Sequence, residues 1–119
     1  FFFHHHPANP DPLWSRGLGD VYKRQELSME RGIHYYDWKM YNEAILEFNQ
    51  AKYSQLRKNE KSYSDIQLLA RCHYNIAITY AKMQLFQNAI QEAQQAYNLI
   101  PNKEYRELLN LIGQELASK

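Results

Sequence analysis

The sequence predicts an all-α protein made of antiparallel helix pairs stacked as a short α-solenoid, and three observations predict it. Residues 26–119 repeat themselves at an offset of 45. Glycine and proline are sparse there, with Gly32, Gly113 and Pro101 against Pro7, Pro10, Pro12, Gly17 and Gly19 in the first 25 residues. Apolar residues recur three and four apart, which is the period of one helix face and not the alternation of a strand.

The repeat aligns Gly32 with Ala77, Ile33 with Ile78, Tyr35 with Tyr80, Ala44 with Ala89, Ile45 with Ile90, Phe48 with Ala93 and Ala51 with Ala96. Glu47 with Glu92 and Gln50 with Gln95 add polar matches. Small residues let two antiparallel helices approach closely, and the aromatic fills the gap beside them. Gly32, Tyr35, Ala44, Phe48, Ala51, Ala77, Tyr80, Ala89, Ala93 and Ala96 are therefore the expected packing positions, with Pro101 closing the second copy.

Helices are expected over 27–36, 41–57, 65–82, 86–99 and 103–117. The 45-residue offset leaves a surplus in residues 56–66, LRKNEKSYSDI, which predicts a longer second helix followed by a loop. Asp65 suits an N-cap, because its carboxylate can accept from free amides at a helix start. Pro101 breaks the chain before the fifth helix. In that helix Tyr105, Leu108, Leu109, Ile112 and Leu116 make one apolar stripe, which suits a capping helix.

The 119-residue chain divides in two. Residues 15–25, SRGLGDVYKRQ, resemble the conceptual translation of a transposon adaptor used to fragment DNA for sequencing. Residues 1–25 are accordingly read as a disordered leader foreign to the domain, and are set aside from fold reasoning. His4, His5 and His6 lie in that leader without the fixed geometry of a metal site. The other 94 residues suffice for one small domain.

Those 94 residues carry no formal net charge, since the leader accounts for the +1 of the whole chain. No basic stripe suggests nucleic acid, and no apolar run is long enough for a membrane span. Cys72 is the only cysteine, which fits a reducing compartment and a cytoplasmic setting.

The repeat resembles the tetratricopeptide repeat, a helix-turn-helix unit of about 34 residues. The copy at about 70–103 carries the family's small residue, tyrosine, alanines and closing Pro101; the copy at about 26–59 has Leu56 at the proline position. Ser28 and His73 occupy the family's tryptophan position, and Lys39 and Gln84 its turn glycine. The resemblance implies a concave face that binds protein or peptide ligands, with groove positions at Met29, Ile33, Tyr36, Asp37, Arg71, Tyr74, Ile78, Ala81 and Lys82. Met29 and Ile33 stand where the family's chaperone-tail binders hold a lysine and asparagine clamp, so no carboxylate clamp is expected. Packing against a further repeat is the alternative role for that pair.

Two repeats and a cap make a short array, so a fragment of a longer protein is expected, or self-association through exposed Met29, Ile33, Tyr36 or Trp38. Alternatives to a general interaction module are the peptide-sensing array of a bacterial helix-turn-helix transcriptional regulator, and a scaffold or assembly factor. No cofactor, metal or catalytic site is expected. Cys72 and His73 are neighbours on one helix, so their side chains diverge by about 100° and cannot act as nucleophile and base. His73 is expected to pack, and His34 to lie at the groove edge or surface.

Overall fold

The computed structural model describes residues 23–118, with side chains from Leu27 onward. Five helices follow one another among the described residues: α1 (Lys23–Asp37), α2 (Tyr41–Leu56), α3 (Tyr63–Lys82), α4 (Phe86–Leu99) and α5 (Lys103–Ala117). Each packs against the next in the chain. The described residues are all helix, turn and loop, without a strand.

The turns from α1 to α2 and from α3 to α4 close with the same pair of bonds. Met40 N–H donates to the Tyr35 carbonyl at 2.8 Å and Lys39 N–H to that of Tyr36 at 3.0 Å. Forty-five residues on, Leu85 N–H donates to Tyr80 and Gln84 N–H to Ala81, both at 2.9 Å. This pair of bonds is a Schellman closure, which satisfies the carbonyls a helix leaves free at its end. It requires a left-handed residue just past the helix, and Lys39 and Gln84 both have φ of 64°. The two residues that the repeat aligns at these turns thus share one left-handed backbone.

The interior forms two clusters. The first joins α1 and α2 to α3 through Met29, Ile33, Phe48, Leu68, Cys72 and Ile76, with Ala44 and Ala51. The second joins α3 and α4 to α5 through Tyr74, Ile78, Phe86, Tyr105, Leu108 and Ile112, with Ala77, Ala89, Ala93 and Ala96 beneath them. Half-buried Tyr36 and Tyr80 pack against both clusters. Leu109 and Leu116 extend the buried stripe of α5.

Helices α4 and α5 have the bounds expected for them, and the other three differ. Residues 23–25 form the first turn of α1 as helix-compatible Lys, Arg and Gln, so the helix starts before the expected domain boundary. Residues 1–22, including His4, His5, His6 and Trp14, lie outside the described residues. α2 ends at Leu56, one residue short of expectation. α3 starts at Tyr63 because Ser62 is its N-cap, not Asp65. Asp65 is the third helical residue and completes a capping box: its amide donates to Ser62 Oγ at 3.2 Å, and its carboxylate accepts from Ser62 N–H at 2.8 Å. Lys58 Nζ closes on the same buried carboxylate at 2.7 Å, tying the interhelical loop to α3. At the last helix, Asn102 follows exposed Pro101 and accepts from Tyr105 N–H at 2.8 Å.

Candidate functional site

Placing the first helix of one pair beside that of the next decides which expected groove residues remain at the surface. Met29 Sδ lies 3.8 Å from Cys72 Sγ and 4.0 Å from Asn75 Nδ2, so α3 covers that side of α1. The Tyr74 and Tyr105 ring centroids are 5.0 Å apart, so α5 covers the matching side of α3. Met29 and Ile33 are each 2% exposed, Ile78 2%, Tyr74 4% and Ala81 1%. These five are core residues, which corrects their assignment to a ligand face. Burial likewise removes Met29 and Ile33 from the self-association surface, whereas Trp38 is 66% exposed.

The ligand-accessible part of the expected site is Tyr36, Asp37, Arg71 and Lys82. Tyr36 is half-buried at the end of α1, its ring edge-on to Tyr41 at 5.7 Å. Burial, with Tyr41 and Asp37 adding to it, pushes its phenol well above the ordinary range, so it stays a neutral hydrogen-bonding group. At the helix end Asp37 is exposed, and the partial desolvation of its carboxylate raises it above the usual range, with His34 opposing. Arg71 sits over Tyr74 and Tyr105, 5.0 and 5.5 Å from their centroids, and its Nη2 donates to Glu104 at 3.4 Å. Burial lifts the Tyr74 phenol strongly, with Glu104 adding and Arg71 opposing.

Arg71 and Lys82 are separated by eleven residues of one helix, about 16 Å at 1.5 Å per residue, and fall on the same side of it. Tyr74 and Ile78 between them are sealed by packing. On this side of α3 the half-buried cationic positions are Arg71, which is paired with Glu104, and Lys82.

Several interactions escaped sequence reasoning. His73 Nδ1 is 2.7 Å from Glu92 Oε1, while Arg31 Nε donates to Glu47 at 3.1 Å. The matched glutamates of the repeat thus both reach from the second helix of a pair to the first, which their polar alignment could have signalled. His34 is exposed and stacks on Trp38 at 6.0 Å, with Tyr35 edge-on to the same indole at 6.2 Å. Gln55 and Asn75 are fully buried amides, which no periodicity marks.

Burial holds Cys72 as a thiol, its pKa pushed up to about 12, so it is poorly suited to act as a nucleophile. Among the described residues no group of three or more His, Cys, Asp or Glu side chains is arranged to hold a metal ion. No helix among them is long and apolar enough to cross a membrane. No protein-family model matches the chain, and comparison with curated proteins and with solved structures finds no match.

Proposed function

We propose that residues 26–119 form a tetratricopeptide-type interaction module that binds a protein or peptide segment along the side of α1 and α3. The observation that carries this reading is the composition of the two cores. Each consists of one helix pair plus the first helix of the next element, so α3 completes the first core and α5 the second. Units that bury their faces only against a neighbour are the building principle of a solenoid, and solenoids present extended surfaces for partners. The equivalent turns at Lys39 and Gln84 add to the same reading.

Tyr36, Asp37, Arg71 and Lys82 supply the polar contacts, and the partner is an extended segment carrying acidic groups toward the α3 side. Panels of short acidic, basic and neutral peptides titrated against the whole chain by fluorescence anisotropy test this. Acidic peptides are expected to bind, and Lys82→Glu to weaken them by about tenfold, in line with a reversed charge contact. Absence of binding across the panel, or indifference to both Lys82→Glu and Asp37→Lys, overturns the proposal.

A further inference from the structure

The outward side of α2 carries a pattern that the peptide-binding reading leaves unused. Glu43, Leu46, Gln50 and Tyr53 of α2, with Arg57 at its C-cap, follow one another at spacings of three and four, and all five are exposed. Leu46 is 65% exposed and Tyr53 51%. The opposite side of the helix is already committed to the interior through Ala44, Phe48, Ala51 and Gln55. A three-four stripe with apolar residues at alternate steps is the seam by which one helix packs along another.

The stripe is complementary to itself in one direction only. Reversed end for end, it sets Glu43 opposite Arg57, Leu46 opposite Tyr53 and Gln50 opposite Gln50. Laid parallel, it sets Glu43 against Glu43 and Arg57 against Arg57. A twofold interface needs one patch to complement its own copy, and the antiparallel arrangement meets that condition in charge and in apolar content. At the centre of the stripe Gln50 Oε1 accepts from Ser28 Oγ of its own chain at 3.5 Å, and beside the stripe Arg31 binds Glu47. Lys52 Nζ lies 4.9 Å from the Tyr53 centroid and covers one side of that ring.

We propose that this face of α2 is a homodimer interface, occupied by α2 of a second copy running antiparallel about a twofold axis near Gln50. From Glu43 to Arg57 the contact is about 21 Å long at the helical rise, a small seam that suits a dissociation constant in the micromolar range. It is distinct from the contact through α1 that the sequence suggested, because Met29 and Ile33 are spent on the core.

Sedimentation velocity of the whole chain from about 1 µM to about 1 mM, bracketing that range, tests the proposal. A concentration-dependent dimer is expected. Leu46→Glu changes an exposed side chain and is expected to leave the circular dichroism unaltered while raising the dissociation constant at least about a hundredfold, as for a central contact residue. Glu43→Arg and Arg57→Glu, each alone, place like charges opposite one another twice and are expected to weaken the dimer by about tenfold. An equimolar mixture of those two variants restores both opposite-charge pairs across the axis, so heterodimers are expected at near the original strength. A monomer at every concentration overturns the proposal, as does a dimer indifferent to Leu46→Glu, or a mixture no tighter than its components.

Discussion

Gly32 and Phe48 are matched in size across the first helix pair: a methyl group on Gly32 would lie 2.7 Å from Cδ1 and 2.9 Å from Cζ of the Phe48 ring, closer than real contacts allow. The second pair holds Ala77 and Ala93 at the corresponding positions, both buried in one cluster. A missing side chain on the first helix is therefore filled by a large one on the second, whereas the other pair divides the space evenly. Gly32→Ala is expected to destabilise by about 1 to 3 kcal/mol through overpacking, and Phe48→Ala by about 3 to 5 kcal/mol through a cavity. The double variant reproduces the second pair's combination and is expected to cost less than the sum of the two. Urea unfolding of all four proteins measures the coupling, and strict additivity would mean that the two sites do not share one space.

Lys39 and Gln84 hold left-handed backbone at both turns, which costs a side-chain-bearing residue energy that glycine avoids. Lys39→Gly and Gln84→Gly are each expected to stabilise by about 0.5 to 1 kcal/mol, since relief of that strain exceeds the added chain entropy of the unfolded state. Lys39→Val is expected to destabilise, because a β-branched side chain tolerates positive φ worst. Thermal unfolding monitored by circular dichroism reads both signs.

Much of this architecture can be read in the residues, for identifiable reasons. The alanines at 89, 93 and 96 mark a close helix approach because only small side chains permit one. Lys39 and Gln84 were legible as turn positions only through the resemblance, because they stand at its turn glycine and carry no turn-forming side chain of their own. The groove was less legible. Met29, Ile33, Tyr74 and Ile78 lie on sides of α1 and α3 that pack into the two cores, and periodicity alone does not separate an apolar core side from an apolar ligand side. Cap identity failed for a related reason: Ser62 and Asp65 are both good capping residues three apart, and the capping box uses each in a different role. Apart from Gln50, the exposed stripe of α2 has no counterpart in the repeat alignment, which matches the alanines on the opposite side of that helix.

Alkaline pH is expected to weaken the fold in two stages. Burial raises the Cys72 thiol from an ordinary 9.0 to about 12, with Lys52 opposing only in part. The folded state therefore keeps this proton when the unfolded chain has released it. The resulting stabilisation is full below about pH 9 and is lost as pH rises toward 12, with a limiting slope of about 1.4 kcal/mol per pH unit. Tyr36, Tyr74 and Tyr105, all raised from 10.0 by burial, steepen the loss above about pH 10. Chemical unfolding measured from pH 7 to 11 is expected to show a decline beginning near pH 9, and Cys72→Ala to delay it to near pH 10. The same burial predicts that Cys72 reacts with a thiol reagent at pH 8 only as fast as the protein opens, so labelling is expected to track unfolding.

Gln55 places a carboxamide in the interior at 0% exposure, and neither its Oε1 nor its Nε2 has a hydrogen-bond partner among the described residues. A buried amide in that state costs about 1 to 3 kcal/mol, because the solvation it had in the unfolded chain is not replaced. Methionine has nearly the same length and flexibility and makes no such demand. Gln55→Met is therefore expected to raise stability by about 1 kcal/mol or more, and Gln55→Glu to lower it by burying a carboxyl group that must stay protonated. The pair of variants separates the polar effect from the shape of the site, since all three side chains are similar in size. Equal stability of the native and methionine proteins in urea, together with a large loss in Gln55→Ala, would show that the side chain matters for its volume and that its amide is satisfied by bound water.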